Sequence, residues 1–117
     1  MKEYILCSAI WYKELPLVKP ELLQIHGFVP YNVDKGIVFC GWRHTNCLYA
    51  KNALTGLRDA ESGEYIQGFL TNLNRFVNRK EAAFIAYKAG QVNDRVNWYE
   101  MTDEEIKNRE LYSEDIY

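Results

Sequence analysis

Apolar and polar positions along the chain fall into blocks with two different periods. Residues 4–12, YILCSAIWY, form an almost unbroken apolar, aromatic and β-branched run of strand length, closed by Lys13 and Glu14. Residues 37–42, IVFCGW, form a second such run after the turn residues Asp34, Lys35 and Gly36. It reads as a buried strand antiparallel to the first, and the two are expected to make the centre of the sheet. All three prolines, Pro16, Pro20 and Pro30, stand between these runs. Proline removes a backbone donor and restricts the residue before it, so a helix around Glu21 to Ile25 must be short.

From Thr45 the period changes. Cys47, Leu48, Ala50, Leu54 and Leu57 recur at helical spacing, with Thr45 placed to cap the start and Gly56 near the end. Ser62 and Gly63 then turn the chain into an extended run at 65–71, and a shorter one at 75–77 completes a hairpin, QGFLTNLNRFV. Asn78 followed by Glu81 has the spacing of a reciprocal helix cap, and Ala82, Ala83, Ile85, Ala86 and Ala89 continue as an alanine-rich helix that Gly90 stops. Thr102 and Glu105 repeat the capping logic before a short charged helix at 103–109, and the chain finishes in LYSEDIY. The order of elements predicts a single α+β domain over residues 1–117: a small antiparallel sheet with two or three helices packed on one face.

A length of 117 residues suits one hydrophobic core. Fourteen Lys and Arg against sixteen Asp and Glu leave a formal charge of -2, so no global basic field exists to hold duplex nucleic acid. No apolar stretch is long enough to span a membrane, and the N-terminal run lacks the form of a signal peptide. Cys7, Cys40 and Cys47 include no C-x-x-C pair and are odd in number, which points to a reducing cytoplasm rather than a disulfide framework. Aromatic residues make up 15% of the chain, more rings than so small a core encloses, so some should face a ligand or another subunit unless they only stiffen the core and its rim.

Two segments carry candidate chemistry. The first, Gly41-Trp42-Arg43-His44-Thr45-Asn46-Cys47, lies where a strand gives way to a helix, and unpaired backbone donors there attract anions. Arg43 adds a planar cationic fork suited to phosphate; the alternative is that it pairs a surface carboxylate while His44 packs under the helix. The second runs from Gln67 through Phe69 and Thr71 to Asn74, Arg75, Phe76 and Arg79. Strand alternation puts Arg75 and Val77 on one face and Phe76 on the other, with Arg79 in the first helical turn. Aromatic faces stack a base, arginines bind phosphate, and Asn or Thr reads an edge or a hydroxyl; alternatively the phenylalanines are core and the arginines solvated.

No dinucleotide, P-loop, zinc-protease, nucleophile-elbow or zinc-deaminase signature occurs, the Cys and His spacings match no zinc pattern, and no cofactor motif is present. Neither a metal site nor an enzyme is therefore expected. The acidic residues Asp103, Glu104 and Glu105 suit a helix start rather than acid–base chemistry. The tail residues Leu111, Tyr112, Ile116 and Tyr117 are candidates to grip a neighbouring subunit.

The blocks GWRHTNC, QGFLTNLNRFVNRKEAAFIAYKAGQ and LYSEDIY resemble a set of small phage proteins. In those, a G-x-R-H segment precedes a QGF…GRFV-x-R-x-EA…AGQ segment and a terminal L-[YF]-SED. The set is identified as the first described Thoeris anti-defence family, phage proteins that sequester cyclic ADP-ribose signals, and the likeness covers residues 36–92 and 111–117. Asn74 stands where the family has glycine before R-F-V; asparagine can still adopt the left-handed turn conformation that this position asks for. The segment 13–35 is longer than the usual connection. The resemblance implies a cytoplasmic protein of the infected bacterial host, built as a homo-oligomer of dimers, that binds a cyclic ADP-ribose-type nucleotide without hydrolysis. It implies ligand-binding roles for Arg43, His44, Asn46, Phe69, Thr71, Asn74, Arg75, Phe76 and Arg79. Two other functions fit the residues: a protein–protein inhibitor or assembly module acting on a host factor through exposed aromatics, and a small nucleotide-processing enzyme using His44 with a carboxylate.

Overall fold

The first apolar run becomes β1 (Ile5–Tyr12). Its alternation sends Ser8, Ile10 and Tyr12 to one face, all of them buried, and Ala9 and Trp11 to the other. The computed structural model describes residues 2–15 and 30–117, so the short helix expected around residues 21–25 lies outside the described residues. Along β1 runs β2 (Ile37–Gly41), antiparallel, with Ser8 opposite Gly41 and Tyr12 opposite Ile37. The other side of β1 pairs with β3 (Tyr65–Thr71), placing Ser8 opposite Phe69, and β3 pairs in turn with β4 (Phe76–Asn78), placing Gly68 opposite Asn78.

The strand order is β2-β1-β3-β4. This corrects the expectation that the first two strands form the sheet centre: β1 and β3 are central and β2 is an edge. Antiparallel pairing of β1 with β2 leaves one side of β1 open, and the later hairpin fills it. The apolar pattern is equally strong in both runs and carries no information about which one gains a second neighbour.

After β2 the chain turns directly into α1 (His44–Thr55). The helix begins two residues earlier than expected, with Arg43 rather than Thr45 at the N-cap; the Arg43 backbone N–H donates to Asn46 Oδ1 at 2.9 Å. Gly56, at φ 70°, ends it by donating to the Asn52 carbonyl at 2.9 Å. The cap expected at Asn78 forms as read: its Oδ1 accepts from the Glu81 backbone N–H at 2.8 Å, and Glu81 Oε1 accepts from the Asn78 N–H at 3.0 Å. It opens α2 (Arg79–Lys88), which starts ahead of the alanine run. Thr102 and Glu105 cap α3 (Asp103–Lys107) in the same way; it stops two residues short of the expected end.

α1 and α2 lie against the face of the sheet that carries Ile10, Tyr12, Phe69 and Val77, and α3 packs on α2. Ala82, Ala83 and Ala86 are fully buried there, small enough to seat α2 close to Ile5, Phe69 and Val77. Trp98, Ile106 and Leu111 close the end of this cluster, each a large side chain whose burial stabilises the fold by about 1.5–3 kcal/mol. On the opposite face Phe76 packs with Ala9 and Val33, edge-on to Trp11 at 5.8 Å between ring centres. Among the described residues no helix is long and apolar enough to cross a membrane.

Candidate functional site

The three sequence blocks, far apart along the chain, meet at one place. The middle of β3 supplies its floor. At Gly68 a Cβ would stand 2.0 Å from the Val77 carbonyl oxygen and 2.8 Å from Phe76 Cζ, so only glycine fits between the two strands of the hairpin. The Gly68 carbonyl in turn receives His44 Nε2 from the start of α1, at 2.8 Å. A carbonyl only accepts, so Nε2 carries the hydrogen and Nδ1 of the neutral ring is an acceptor. Burial pushes the His44 pKa down and the Arg79 cation pushes it the same way, against the pull of the Gly68 bond and of Glu114. The imidazole stands edge-on to Phe69, with ring centres 5.0 Å apart.

Two arginines flank this histidine. Arg43 lies over the Trp42 ring at 4.7 Å, donates through Nη2 to the main-chain oxygen of Tyr117 at 3.0 Å, and holds Nη1 3.8 Å from Glu114. Arg79, the first residue of α2, lies over the Tyr112 ring at 4.7 Å and donates through Nη2 to Gln67 Oε1. Each has a buried Nε without a hydrogen-bond partner among the described residues. Arg79 makes no ion pair among the described residues, whereas Arg43 is partly neutralised.

The LYSEDIY block explains the placement of Tyr112. Asp115, fully buried, accepts from Arg95 Nε at 2.9 Å and from the Tyr112 backbone N–H at 2.9 Å, and the Leu111 N–H donates to the Arg79 carbonyl at 2.9 Å. The aspartate of the block is thus structural, and it helps lay the tail across both arginines. Leu111, expected to grip a neighbouring subunit, is instead wholly inside this chain's own core.

An open groove of about 480 Å³ follows, lined by Ile66, Gln67, Asn78, Arg79, Lys80 and Glu110. Two cations against one carboxylate make it anion-attracting. On the other side of Gln67 lies a smaller cavity of about 130 Å³, whose walls include Tyr12, His44, Thr45 and Asp59. Gln67 lines both, so the two are neighbours.

Of the residues expected to bind ligand, Arg43, His44 and Arg79 are brought together. The others are not available as expected. The Asn46 side chain caps α1. Phe69 is fully buried behind His44, and Phe76 is buried on the opposite face of the sheet, so neither ring has a free surface on which a base could stack. Thr71 is buried and its hydroxyl donates to Glu3 at 2.8 Å. Arg75, expected to clamp phosphate, makes a two-pronged bond to Glu3 at 2.9 and 2.8 Å and approaches Glu81 at 3.4 Å. That guanidinium beside Glu3 holds the Glu3 carboxyl below its usual range, against burial and with help from Thr71. Asn74 takes the left-handed conformation, φ 56°, in the turn between β3 and β4. Thr71, Asn74 and Arg75 therefore sit at the far end of the hairpin, about 10 Å along the strand from Gly68.

Sequence reasoning missed Lys80, Tyr112, Tyr12 and Asp59 as site residues. Tyr112 lies within LYSEDIY and Lys80 beside Arg79, but Tyr12 and Asp59 carry no signal beyond ordinary strand and turn positions. Among the described residues no three His, Cys, Asp or Glu side chains converge as a metal ion would require.

No curated protein and no solved structure matches the chain. A family model described as the Phage T4 y16D protein matches residues 4–117, a span that includes every residue of the groove and both flanking arginines. The chain belongs to the Phage T4 y16D protein family.

Proposed function

We propose that this phage protein binds a cyclic ADP-ribose-type immune signalling nucleotide and holds it uncleaved, keeping it from its receptor. The observation that carries the reading is Arg79: a guanidinium without an anionic partner among the described residues, laid on the Tyr112 ring beside the 480 Å³ groove and backed by Lys80. A pyrophosphate brings two negative charges and acceptor oxygens that suit such a fork. Arg43, half-committed to Glu114 and Tyr117, extends the same basic surface past His44.

Sequestration at submicromolar signal concentrations requires nanomolar affinity, about -12 kcal/mol. Charge-assisted hydrogen bonds contribute about 1.5–3 kcal/mol each, so the groove of one chain falls short and enclosure by a second copy supplies the rest. Exposed Trp42, Tyr49 and Leu54 on and before α1 offer apolar surface for that copy. His44 is not poised as an acid: its Nε2–H is spent on Gly68, and burial favours the neutral ring over the protonated one that an acid catalyst needs. The same exposed rings favour the second reading, a protein–protein inhibitor acting on a host factor.

Isothermal calorimetry with cyclic ADP-ribose isomers tests the reading. Wild type is expected to bind one isomer tightly, and Arg79→Ala to weaken it about 10- to 150-fold, the loss of one charge-assisted bond. Equal affinity of the two proteins overturns the assignment, and no heat with any isomer favours the protein inhibitor.

A further inference from the structure

The small cavity beside the groove contains a group that the fold leaves unsatisfied. Tyr12 is fully buried, and its hydroxyl, which faces the Asp59 carboxylate, makes no hydrogen bond of normal geometry among the described residues. The ring itself is well held, tilted against Tyr65 at 5.5 Å, edge-on to Phe39 at 5.9 Å, and under the Lys51 ammonium at 5.0 Å. A buried hydroxyl left unpaired costs about 1–3 kcal/mol, and native folds seldom leave one so without a use. Tyr12 lines the 130 Å³ cavity together with His44, Thr45, Asp59, Tyr65 and Gln67. At about 30 Å³ per water molecule that is room for roughly four waters, or for a small ring.

The walls select the chemistry of the occupant. Asp59 binds the Lys51 ammonium through Oδ1 at 3.0 Å, so the charges of that pair are already matched and an ionic ligand group gains nothing there. Lys51 is itself saturated, by Asp59, by the Leu57 carbonyl at 3.1 Å and by Ser62 Oγ at 2.9 Å. What remains is a donor at Tyr12, whose pKa burial and then the facing Asp59 charge push up to about 12, and an acceptor on the Asp59 carboxylate beside it. The amide of Gln67 also lines the cavity, its oxygen engaged by Arg79. A neutral group that both accepts and donates, at adjacent atoms, matches this pair; a vicinal diol does so.

We infer that the cavity bounded by Tyr12, His44, Asp59 and Gln67 is a subsite for the vicinal diol of a neutral pentose, next to the anion-binding groove. This deepens the nucleotide-binding reading and rests on it for the anionic group alongside.

Three probes separate the two claims. Saturation-transfer NMR is run with methyl β-D-ribofuranoside, with its 2-deoxy analogue, and phosphorus NMR with inorganic pyrophosphate. The riboside is expected to receive magnetisation from wild type, the deoxy analogue several-fold less. Tyr12→Phe is expected to weaken the riboside by roughly three- to tenfold, the loss of one neutral hydrogen bond. It should leave pyrophosphate binding unchanged and Tm unchanged or higher, because the hydroxyl it removes makes no hydrogen bond of normal geometry among the described residues. Asp59→Asn provides a second variant that keeps the side-chain shape. Pyrophosphate binding without any riboside signal, equal signals from riboside and deoxy analogue, or equal riboside affinity in Tyr12→Phe and wild type overturns the subsite and leaves the groove standing. A riboside signal without pyrophosphate binding supports the subsite and removes the groove.

Discussion

Replacing Arg75 by alanine is expected to weaken the fold and leave the ligand affinity alone, the reverse of what a phosphate clamp would do. The side chains of Arg75 and Glu3 are 26% and 20% exposed and joined by two short bonds. Removing the guanidinium leaves a mostly covered carboxylate with the Thr71 hydroxyl as its remaining partner. Charge-assisted bonds in the open are worth little, and fully buried ones leave a penalty of several kcal/mol when broken; this intermediate pair is worth about 2 kcal/mol. At about 2.1 cal/mol/K of unfolding entropy per residue, a chain of 117 residues loses about 8 °C of Tm for that amount. The pH dependence follows from the lowered pKa of Glu3. A carboxylate that is more acidic in the folded state adds stability above its unfolded pKa, and that contribution disappears as pH falls through the folded value. The gap between wild type and Arg75→Ala therefore narrows in acid. Thermal unfolding of both proteins across pH, with calorimetry at neutral pH, measures all of this. An unchanged Tm, or a folded Arg75→Ala that loses ligand, would refute the assignment.

Gly68→Ala sets a Cβ into the Val77 carbonyl, which is backbone and cannot swing aside; a loss of about 3 kcal/mol, the upper end for overpacking, is expected in urea unfolding, and a tolerated alanine would contradict the close approach. The Cys40 thiol donates to Cys7 and lowers the Cys7 pKa to about 7 despite burial, whereas burial pushes Cys47 up to about 12. Iodoacetamide at pH 7 should label Cys7 first, and Cys40→Ala should slow that labelling about tenfold; peptide mapping that finds Cys47 first would be contrary. His44 is more easily deprotonated in the fold than in the unfolded chain, so its contribution is complete above the ordinary histidine pKa and declines as pH falls through the folded value. His44→Gln should flatten the loss of stability between pH 7 and 5, and parallel urea curves would exclude this.

Much of the fold was legible because it is written in local patterns. The reciprocal caps at Asn78 with Glu81 and at Thr102 with Glu105 depend on residues three apart, and both formed as read. The left-handed Asn74 follows from the short polar side chain that tolerates this conformation. Strand order was not legible, because whether β2 or β3 gains a second neighbour depends on the whole chain. The site was legible only in part, for a related reason. Arg43, His44 and Arg79 flank strand–helix junctions, where the local pattern points to exposed donors. Arg75 and Arg79 look alike in sequence, yet a glutamate 72 positions before Arg75 claims one and leaves the other to the groove. Phe69 and Phe76 could have been rings for a base, but strand alternation turned each into a core on its own face.

The central claim, that the basic groove beside His44 captures a small nucleotide and returns it intact, is tested most directly by a release experiment. The protein is incubated with cyclic ADP-ribose isomers, washed free of unbound ligand, unfolded by heat, and the supernatant analysed by mass spectrometry. The account predicts recovery of the unaltered cyclic nucleotide in stoichiometric amount from wild type and far less from Arg79→Ala. Recovery of a hydrolysed product, or of no nucleotide from wild type, would contradict it.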